Sequence, residues 1–304
     1  MELKGVFAPA TTPFDPETGD ADVVAMRANV RRWLRAPLAG VVLFGSTGEG
    51  LLLEDGERAA LLEATREVVD GGRLLLAGTG AESTRTAIRL AREAARHGAD
   101  AVLVHAPSYY RPQMTPEALR DHFAAVADAS PVPVLLYQVP PQYSGVELPA
   151  GLVGELAKHP NVAGIKDSSG DLKTLAALVD ACQGRAAVLA GSGAVFYGAL
   201  EVGAAGGILA VSLLMPSEAC AIHDHYRAGR LAEAGRVQER VAPLHRAVVG
   251  ALGVAGVKAG MDALGMRGGA PRPPLKPLRA REAEAVHAAL SAAGVGAAAP
   301  AVAP

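Results

Sequence analysis

A lysine and a tyrosine of this chain each stand at the end of an apolar run typical of a buried strand. Lys166 follows Val162-Ala-Gly-Ile, and Tyr137 follows Val134-Leu-Leu. A neutral lysine amine attacks a ketone to form a Schiff base, and a tyrosine hydroxyl at the same place can carry protons to and from the imine. An apolar wall around the amine favours its neutral form. The two residues predict carbonyl chemistry, provided that the fold brings the two strand ends together.

Each of these residues also has an ordinary structural interpretation. A lysine at a strand end can extend its stem to reach solvent, or pair with the neighbouring Asp167. A tyrosine in a strand more often lies in the core with a hydrated hydroxyl. Neither residue alone predicts a catalytic site, so the prediction depends on what the other strand ends carry.

Small and hydroxyl-bearing residues follow the second apolar run, in the string Gly45-Ser46-Thr47-Gly48-Glu49. The backbone N–H groups and two hydroxyls of such a turn suit a carboxylate, although the string could be no more than a capped turn. The glycine and lysine spacing of a phosphate-binding loop is absent. A further run ends near Tyr109 and Tyr110, which would point to opposite sides in extended chain.

Eight short apolar runs alternate with helical patterns, which predicts parallel strands buried on both faces. The runs are Gly5–Ala10, Gly40–Phe44, Arg73–Ala77, Ala101–His105, Val132–Tyr137, Val162–Lys166, Ala187–Ala190 and Gly207–Val211. Ser83 and Thr115 are placed to cap two of the intervening helices. Eight such units favour a (β/α)8 TIM barrel, an α/β fold, over a doubly wound open sheet.

The strand pattern stops after Met215, and four helical segments follow. They are Ser217–Ala228, Leu231–Val249, Val254–Leu264 and Arg281–Ala293. We predict a catalytic barrel over residues 1–228 and a C-terminal helical extension over residues 229–304. The Ala- and Gly-rich tail from about residue 294 should be flexible.

The composition excludes several functional classes. The chain has 29 basic and 31 acidic residues and no long run of either sign, so its sequence lacks the excess of basic residues typical of proteins that bind nucleic acid. Two cysteines make no disulfide framework, the start lacks the features of a signal peptide, and no apolar stretch approaches the roughly 18–20 residues of a membrane span. We expect a cytoplasmic protein that binds a small molecule and neither nucleic acid nor a membrane.

The histidines and glycines give no sign of a metal or an organic cofactor. The eight histidines are scattered, no Cys-x-x-Cys occurs, and His223 and His225 would lie on different faces of a helix. Gly78-Thr-Gly80 is too weak to predict a dinucleotide site. We expect no cofactor and no metal, with the histidines on helix surfaces.

Taken together, four strings resemble the dihydrodipicolinate synthase / N-acetylneuraminate lyase family of class I, Schiff-base aldolases. They are Gly45-Ser-Thr-Gly-Glu49, Tyr109-Tyr110-x-Pro112, Tyr137-x-Val-Pro140 and Gly164-Ile-Lys-Asp167, in the family's order and spacing from Phe7 to about Leu278. The resemblance implies a barrel enzyme that forms or uses pyruvate through a covalent imine.

The resemblance also implies a role for each matching residue. Lys166 would form the imine, Tyr137 would be the general acid and base, and Ser46 would relay protons. Thr47 would help hold the carboxylate of the 2-oxo acid, and Tyr110 would reach the site of a neighbouring subunit. Three residues would contact substrate, with Gly191 and Ile208 lining the pyruvate pocket and Arg111 offering a cation to a distal carboxylate.

The sequence departs from the synthase branch of the family in a segment that bears on the choice of substrate. That branch supplies an arginine after the tyrosine strand, whereas this chain has Pro141-Gln-Tyr-Ser-Gly145. Strings such as Ser108-Tyr-Tyr-Arg-Pro112 and Ala190-Gly-Ser-Gly193 are most similar to 4-hydroxy-2-oxoglutarate aldolases, which form pyruvate and glyoxylate. Condensation of pyruvate with aspartate semialdehyde is the enzyme alternative, and a non-catalytic sensor of 2-oxo acids is a remote one.

The resemblance further implies an oligomer, since the family is commonly a homotetramer built as a dimer of dimers. The apolar faces of the predicted C-terminal helices agree with that expectation.

Overall fold

The computed structural model describes residues 1–296 and contains a closed barrel of eight parallel strands in sequence order, β1 pairing with β8. The strands are β1 (Gly5–Pro9), β2 (Gly40–Leu43), β3 (Leu74–Gly78), β4 (Ala101–His105), β5 (Val134–Gln138), β6 (Val162–Asp167), β7 (Ala187–Ala190) and β8 (Gly206–Ile208). The predicted TIM barrel is confirmed, and the open sheet is excluded because the edges are paired.

A helix follows each strand and covers the outside of the barrel. These helices are α1 (Val23–Trp33), α2 (Asp55–Arg66), α3 (Thr84–Arg96), α4 (Pro116–Ala129), α5 (Ala150–Leu156), α6 (Leu172–Cys182), α7 (Phe196–Glu201) and α8 (Pro216–Arg227). Ser83 and Thr115 cap α3 and α4, each accepting a hydrogen bond from the backbone N–H of the third helical residue, as predicted.

Alternation along the strands divides the apolar side chains into two layers. One set fills the barrel interior, and it includes Phe7, Val42, Leu76, Leu103, Leu135, Leu189 and Ile208. The other set faces the helices and forms the larger outer core. The strands read as continuous apolar runs because both of their faces are buried.

Six of the eight strand ends differ from the prediction, five of them by a single residue, and two of the six differences have a local backbone cause. The eighth strand ends at Ile208, and Ala210–Leu213 form a 3-10 turn instead of continuing it. The second ends at Leu43 because Phe44 has a left-handed backbone, with φ of 59°. A non-glycine residue with a left-handed backbone cannot continue a strand, and the hydrophobic pattern of a sequence does not predict such a backbone.

Three helices follow the barrel: α9 (Leu231–Leu244), α10 (Ala251–Ala263) and α11 (Ala280–Ala292). Between α9 and α10 the chain makes a π-helical turn, His245–Gly250, just after Pro243 removes a helical N–H donor. A kink at Gly253 then redirects the chain, in agreement with a predicted helix beginning at Val254.

The extension packs against the barrel. Val241, Val257, Met261 and Val286 are buried in the same core as Trp33 of α1. The domain division after residue 228 stays a prediction, and most of the predicted flexible tail, residues 297–304, lies outside the described residues. Among residues 1–296, none of the helices combines the length and apolar character needed to cross a membrane.

Candidate active site

Lys166 and Tyr137 lie side by side at the carboxyl end of the barrel. They are direct partners in the register of β5 and β6, so their side chains leave the sheet on the same face. The Nζ atom of Lys166 lies 4.2 Å from the centre of the Tyr137 ring. Lys166 is 5 % exposed and Tyr137 4 %. The lysine therefore does not extend to solvent, and the structure brings together the two groups on which the chemistry depends.

Asp167 points away from this pair, as alternation along a strand requires. Its carboxylate accepts hydrogen bonds from the hydroxyl of Ser169 at 2.7 Å and from the backbone N–H of Ser169 at 3.2 Å. Burial raises the pKa of Asp167, although the bonds from Ser169 oppose that effect. The carboxylate is thus engaged in the loop after β6.

Tyr137 is also in contact with the loop after β2. Its hydroxyl lies 3.4 Å from the hydroxyl of Ser46. Burial raises the pKa of Tyr137, but the charge of Lys166 and hydrogen bonds with Ser46, Ser168 and Lys166 outweigh burial, so the pKa lies below its ordinary value. A general base works best when its pKa lies near the working pH, and the lowered pKa shifts the phenol in that direction.

The loop that carries Ser46 and Thr47 is held in an unusual backbone conformation. Ser46–Gly48 form a 3-10 turn between two left-handed residues, Phe44 and Glu49. A Cβ atom at Gly50 would lie 2.1 Å from the carbonyl oxygen of Phe44, and one at Gly78 would lie 2.2 Å from it. Glycine at both positions permits the close approach, which aims the serine and threonine at the barrel mouth.

A buried ion pair anchors the same loop to the C-terminal extension. The Nζ atom of Lys258 donates to Glu49 at 2.6 Å and to the carbonyl of Ala270 at 2.9 Å. The backbone N–H of Arg272 donates to the other Glu49 oxygen at 2.7 Å. Neither charged side chain of the pair is exposed. The sequence does not predict this anchor, and its one local sign is the single lysine within the apolar segment Val254–Leu264.

Six of the predicted site residues surround one cavity of about 230 Å³, which we call the lysine cavity. They are Lys166, Tyr137, Ser46, Thr47, Gly191 and Ile208. Ser168, Ser169 and Ser192 also line it. The cavity offers an amine, a phenol and several hydroxyls within an enclosure lined partly by apolar side chains, which is an arrangement suited to a small 2-oxo acid.

Ser46 and Tyr137 also border a larger cavity of about 500 Å³, which we call the outer cavity. Its remaining wall is mostly apolar and includes Phe44, Leu103, Leu252 and Leu275. Leu51 lies at this cavity and is 75 % exposed.

Tyr110 and Arg111, the two remaining predicted residues, lie outside both cavities within this chain. Tyr110 is 66 % exposed, and its ring makes edge-to-face contact with that of Tyr109 at 5.1 Å. The prediction that these tyrosines point to opposite sides was wrong, because the chain turns here instead of continuing extended. Arg111 lies beside Gly145, where an added Cβ would come within 2.5 Å of its guanidinium.

The expectation that the histidines lie on helix surfaces was wrong for four of them, of which one, His105, is the last residue of β4. His122, His223 and His245 are all buried. His245 lines the lysine cavity, 3.4 Å from the hydroxyl of Ser192. Pro243, two residues earlier, was the signal for an irregular turn at this position. Within residues 1–296, no three His, Cys, Asp or Glu side chains come together as a metal site would require.

Comparison with known proteins gives a family match over nearly the whole chain. The sequence profile of the Dihydrodipicolinate synthetase family matches residues 2–293. The L-threo-3-deoxy-hexylosonate aldolase of Hypocrea jecorina is 34% identical over 93% of this chain and 93% of its own length. The probable mitochondrial 4-hydroxy-2-oxoglutarate aldolase of Emericella nidulans is 35% identical over 95% of this chain and 94% of its own.

The solved structures agree with these relatives in fold. The chloride-inhibited dihydrodipicolinate synthase of Acinetobacter baumannii, complexed with pyruvate, superposes with a TM-score of 0.92 at 31% identity. That comparison covers 97% of this chain and 100% of the other. Other relatives of similar identity are named 4-hydroxy-tetrahydrodipicolinate synthase.

Proposed function

Because the chain belongs to the dihydrodipicolinate synthetase family, a family of pyruvate-dependent lyases and aldolases, we propose that it cleaves a 4-hydroxy-2-oxo acid through an imine at Lys166. The favoured substrate is 4-hydroxy-2-oxoglutarate, and the products are pyruvate and glyoxylate. The observation that carries the proposal is the pairing of Lys166 with Tyr137 inside one small cavity.

The first half of the reaction forms the electron sink. The Lys166 amine adds to the C2 carbonyl of the substrate, and loss of water gives a protonated imine. Thr47 lines the cavity, and in this proposal its backbone N–H and hydroxyl hold the substrate carboxylate. Because the imine itself accepts electrons, the chemistry needs neither a metal nor an organic cofactor.

The second half breaks the carbon–carbon bond. Tyr137, in contact with Ser46, takes the proton of the C4 hydroxyl. The C3–C4 electrons move into the imine, the aldehyde leaves, and an enamine of pyruvate remains on Lys166. Protonation at C3 and hydrolysis by water release pyruvate and the free amine.

Borohydride trapping tests the reaction class directly. Reduction of the enzyme in the presence of pyruvate is expected to attach a pyruvyl adduct to the peptide that contains Lys166, detected by intact and peptide mass spectrometry. If no adduct forms under conditions that trap a known aldolase, the proposal fails. Retained binding of 2-oxo acids without an adduct would support the non-catalytic sensor instead.

Condensation of pyruvate with aspartate semialdehyde is the second candidate, because several relatives are named as that synthase. The loop after β5 lacks an arginine, and Gln142 lines the lysine cavity at that place. An amide does not replace the paired hydrogen bonds of a guanidinium to a carboxylate. The missing arginine therefore counts against the synthase, whose branch of the family supplies that arginine.

We expect glyoxylate to be used at least about tenfold better than aspartate semialdehyde, as kcat/KM for addition to pyruvate. Gln142→Arg should narrow this preference by adding a cation at the cavity. Coupled assays with each aldehyde on both proteins measure the two ratios. A preference of the unaltered protein for aspartate semialdehyde would make it a synthase.

We further propose that the active enzyme is an oligomer in which Tyr110 of the partner subunit enters the outer cavity beside Ser46 and Tyr137. Leu51 lines that cavity, and Tyr109 and Tyr110 directly follow Ser108, which also lines it. All three are exposed large side chains with apolar surface, as an interface between subunits would need. A tetramer arranged as a dimer of dimers is the assembly that we favour.

Leu51→Asp is expected to yield monomers with at least about tenfold lower kcat, because the charge opposes burial of this surface. Val24→Asp, at a residue that is 70 % exposed on α1, is the matched control and should change neither property. Light scattering measures the oligomeric state, and a retro-aldol assay measures kcat. Fully active monomers would contradict the role of the partner's tyrosine.

A further inference from the structure

His245 is a buried histidine within the lysine cavity, and the mechanism above does not use it. It is 8 % exposed and belongs to the π-helical turn that joins α9 to α10. Burial lowers the pKa of His245 to about 4, assisted by the charge of Arg246, so the ring is neutral near pH 7. Turns of this kind are frequent at functional sites.

The surroundings of the two ring nitrogens indicate which one carries the proton. Nε2 lies 3.4 Å from the hydroxyl oxygen of Ser192. Nδ1 has no hydrogen-bond partner, and it faces the Cα of Gly193, where an added Cβ would lie 3.1 Å away. If Nδ1 carries the lone pair, its contact with the C–H group of Gly193 is mildly favourable. If Nδ1 carried the proton, that buried N–H would have no acceptor. The proton therefore belongs on Nε2.

This tautomer fixes the direction of the hydrogen bond. With its proton on Nε2, the imidazole donates to the oxygen of Ser192. The serine proton is then free to point away from the histidine and into the cavity that both residues line. Ser192 becomes a hydrogen-bond donor, and a donor requires an acceptor on the substrate.

From this geometry we propose that His245 is a positioning residue that sets Ser192 as a donor to an anionic group on the aldehyde half of the substrate. The inference rests on the proposed function and deepens it, since it selects aldehydes that carry a carboxylate over neutral ones. Ser192 follows Gly191 at the end of β7 and lines the same cavity as Lys166 and Thr47. Since Thr47 is proposed to hold the carboxylate next to the imine, the Ser192 donor is assigned to the second anionic group, on the aldehyde half.

Two amide variants separate this role from a structural one. Glutamine places its N–H at the position of Nε2, whereas asparagine reaches only as far as Nδ1. The readout is the ratio of kcat/KM for glyoxylate to that for glycolaldehyde, a neutral aldehyde, in addition to pyruvate. General damage to the site lowers both rates and leaves the ratio unchanged.

His245→Asn is expected to lower this ratio about tenfold, the size of a lost hydrogen bond to a charged group, and His245→Gln should lower it less than about threefold. Ser192→Ala should lower the ratio as much as His245→Asn does. In the double variant the ratio should fall no further than in either single variant. The control is His122→Asn, at a buried histidine whose Nδ1 contacts Thr84 at 2.9 Å and whose Nε2 is unpartnered.

The outcomes distinguish the inference from the proposed function. If Lys166 is trapped with pyruvate but glyoxylate and glycolaldehyde react equally well, the inference is wrong and the aldolase stands. The inference is also wrong if His245→Asn and His245→Gln have equal ratios. It is wrong as well if the fold-losses of the two single variants multiply in the double variant. If Lys166 is not trapped, the proposed function fails and the inference fails with it.

Discussion

Lys166→Met is expected to abolish cleavage of 4-hydroxy-2-oxo acids, with kcat falling by a factor on the order of 10⁴ or more. Methionine keeps an unbranched apolar chain of similar length among the same neighbours but has no amine to add to the ketone. Because the removed group forms the covalent intermediate, the loss should appear in kcat, and borohydride should leave no pyruvyl adduct on the protein.

The control for this variant is Lys173→Met, at an exposed lysine in the first turn of α6. It should keep wild-type kcat and still be trapped at Lys166. A thermal unfolding curve checks that Lys166→Met is folded. Turnover within tenfold of wild type in the folded Lys166→Met protein would place the reactive amine elsewhere.

The barrel could be predicted from the sequence because burial on both faces makes each parallel strand a short apolar run. For the same reason Lys166 and Tyr137 were noticeable, since each is the polar residue at which such a run ends. Once the barrel is known, its carboxyl end collects these residues in one place. Their pairing across β5 and β6 follows from register, which depends on the whole closed sheet.

Other features depend on contacts that no local pattern contains. Glu49 and Lys258 are 209 residues apart, and nothing near either one identifies its partner. The left-handed backbone of Phe44 is permitted by Gly50 and Gly78, which lie on different elements. A regular helix through Pro243 predicts His245 on the helix surface, but the helix becomes a π-helical turn at His245 and buries the ring.

The largest loss of stability is expected from Glu49→Gln, which removes the negative charge that Lys258 faces in the core. Burial lowers the pKa of Lys258, and the Glu49 carboxylate opposes that effect. Breaking a buried pair from one side costs about 3–5 kcal/mol, since the remaining charge has no counterion. Glutamine keeps the shape of glutamate and is no more strained at the left-handed backbone of residue 49.

The midpoint of thermal unfolding should fall by about 10 °C in Glu49→Gln, measured by calorimetry at fixed protein concentration. Asp55→Asn is the matched control, because it removes an exposed ion pair with Arg89 and should change stability by less than about 1 kcal/mol. The double variant Glu49→Gln with Lys258→Met should recover part of the loss, since no buried charge then remains unpaired.

The ion pair also has a consequence for catalysis that separates anchoring from stability alone. Glu49 ends the turn that carries Ser46 and Thr47, and its carboxylate is held by Lys258 and by the backbone N–H of Arg272. If the pair positions that turn, the folded double variant should keep its imine with pyruvate but lose kcat in the cleavage step, which needs Ser46 beside Tyr137. A double variant with restored stability and unchanged kcat would show that the pair stabilises the fold without positioning the turn.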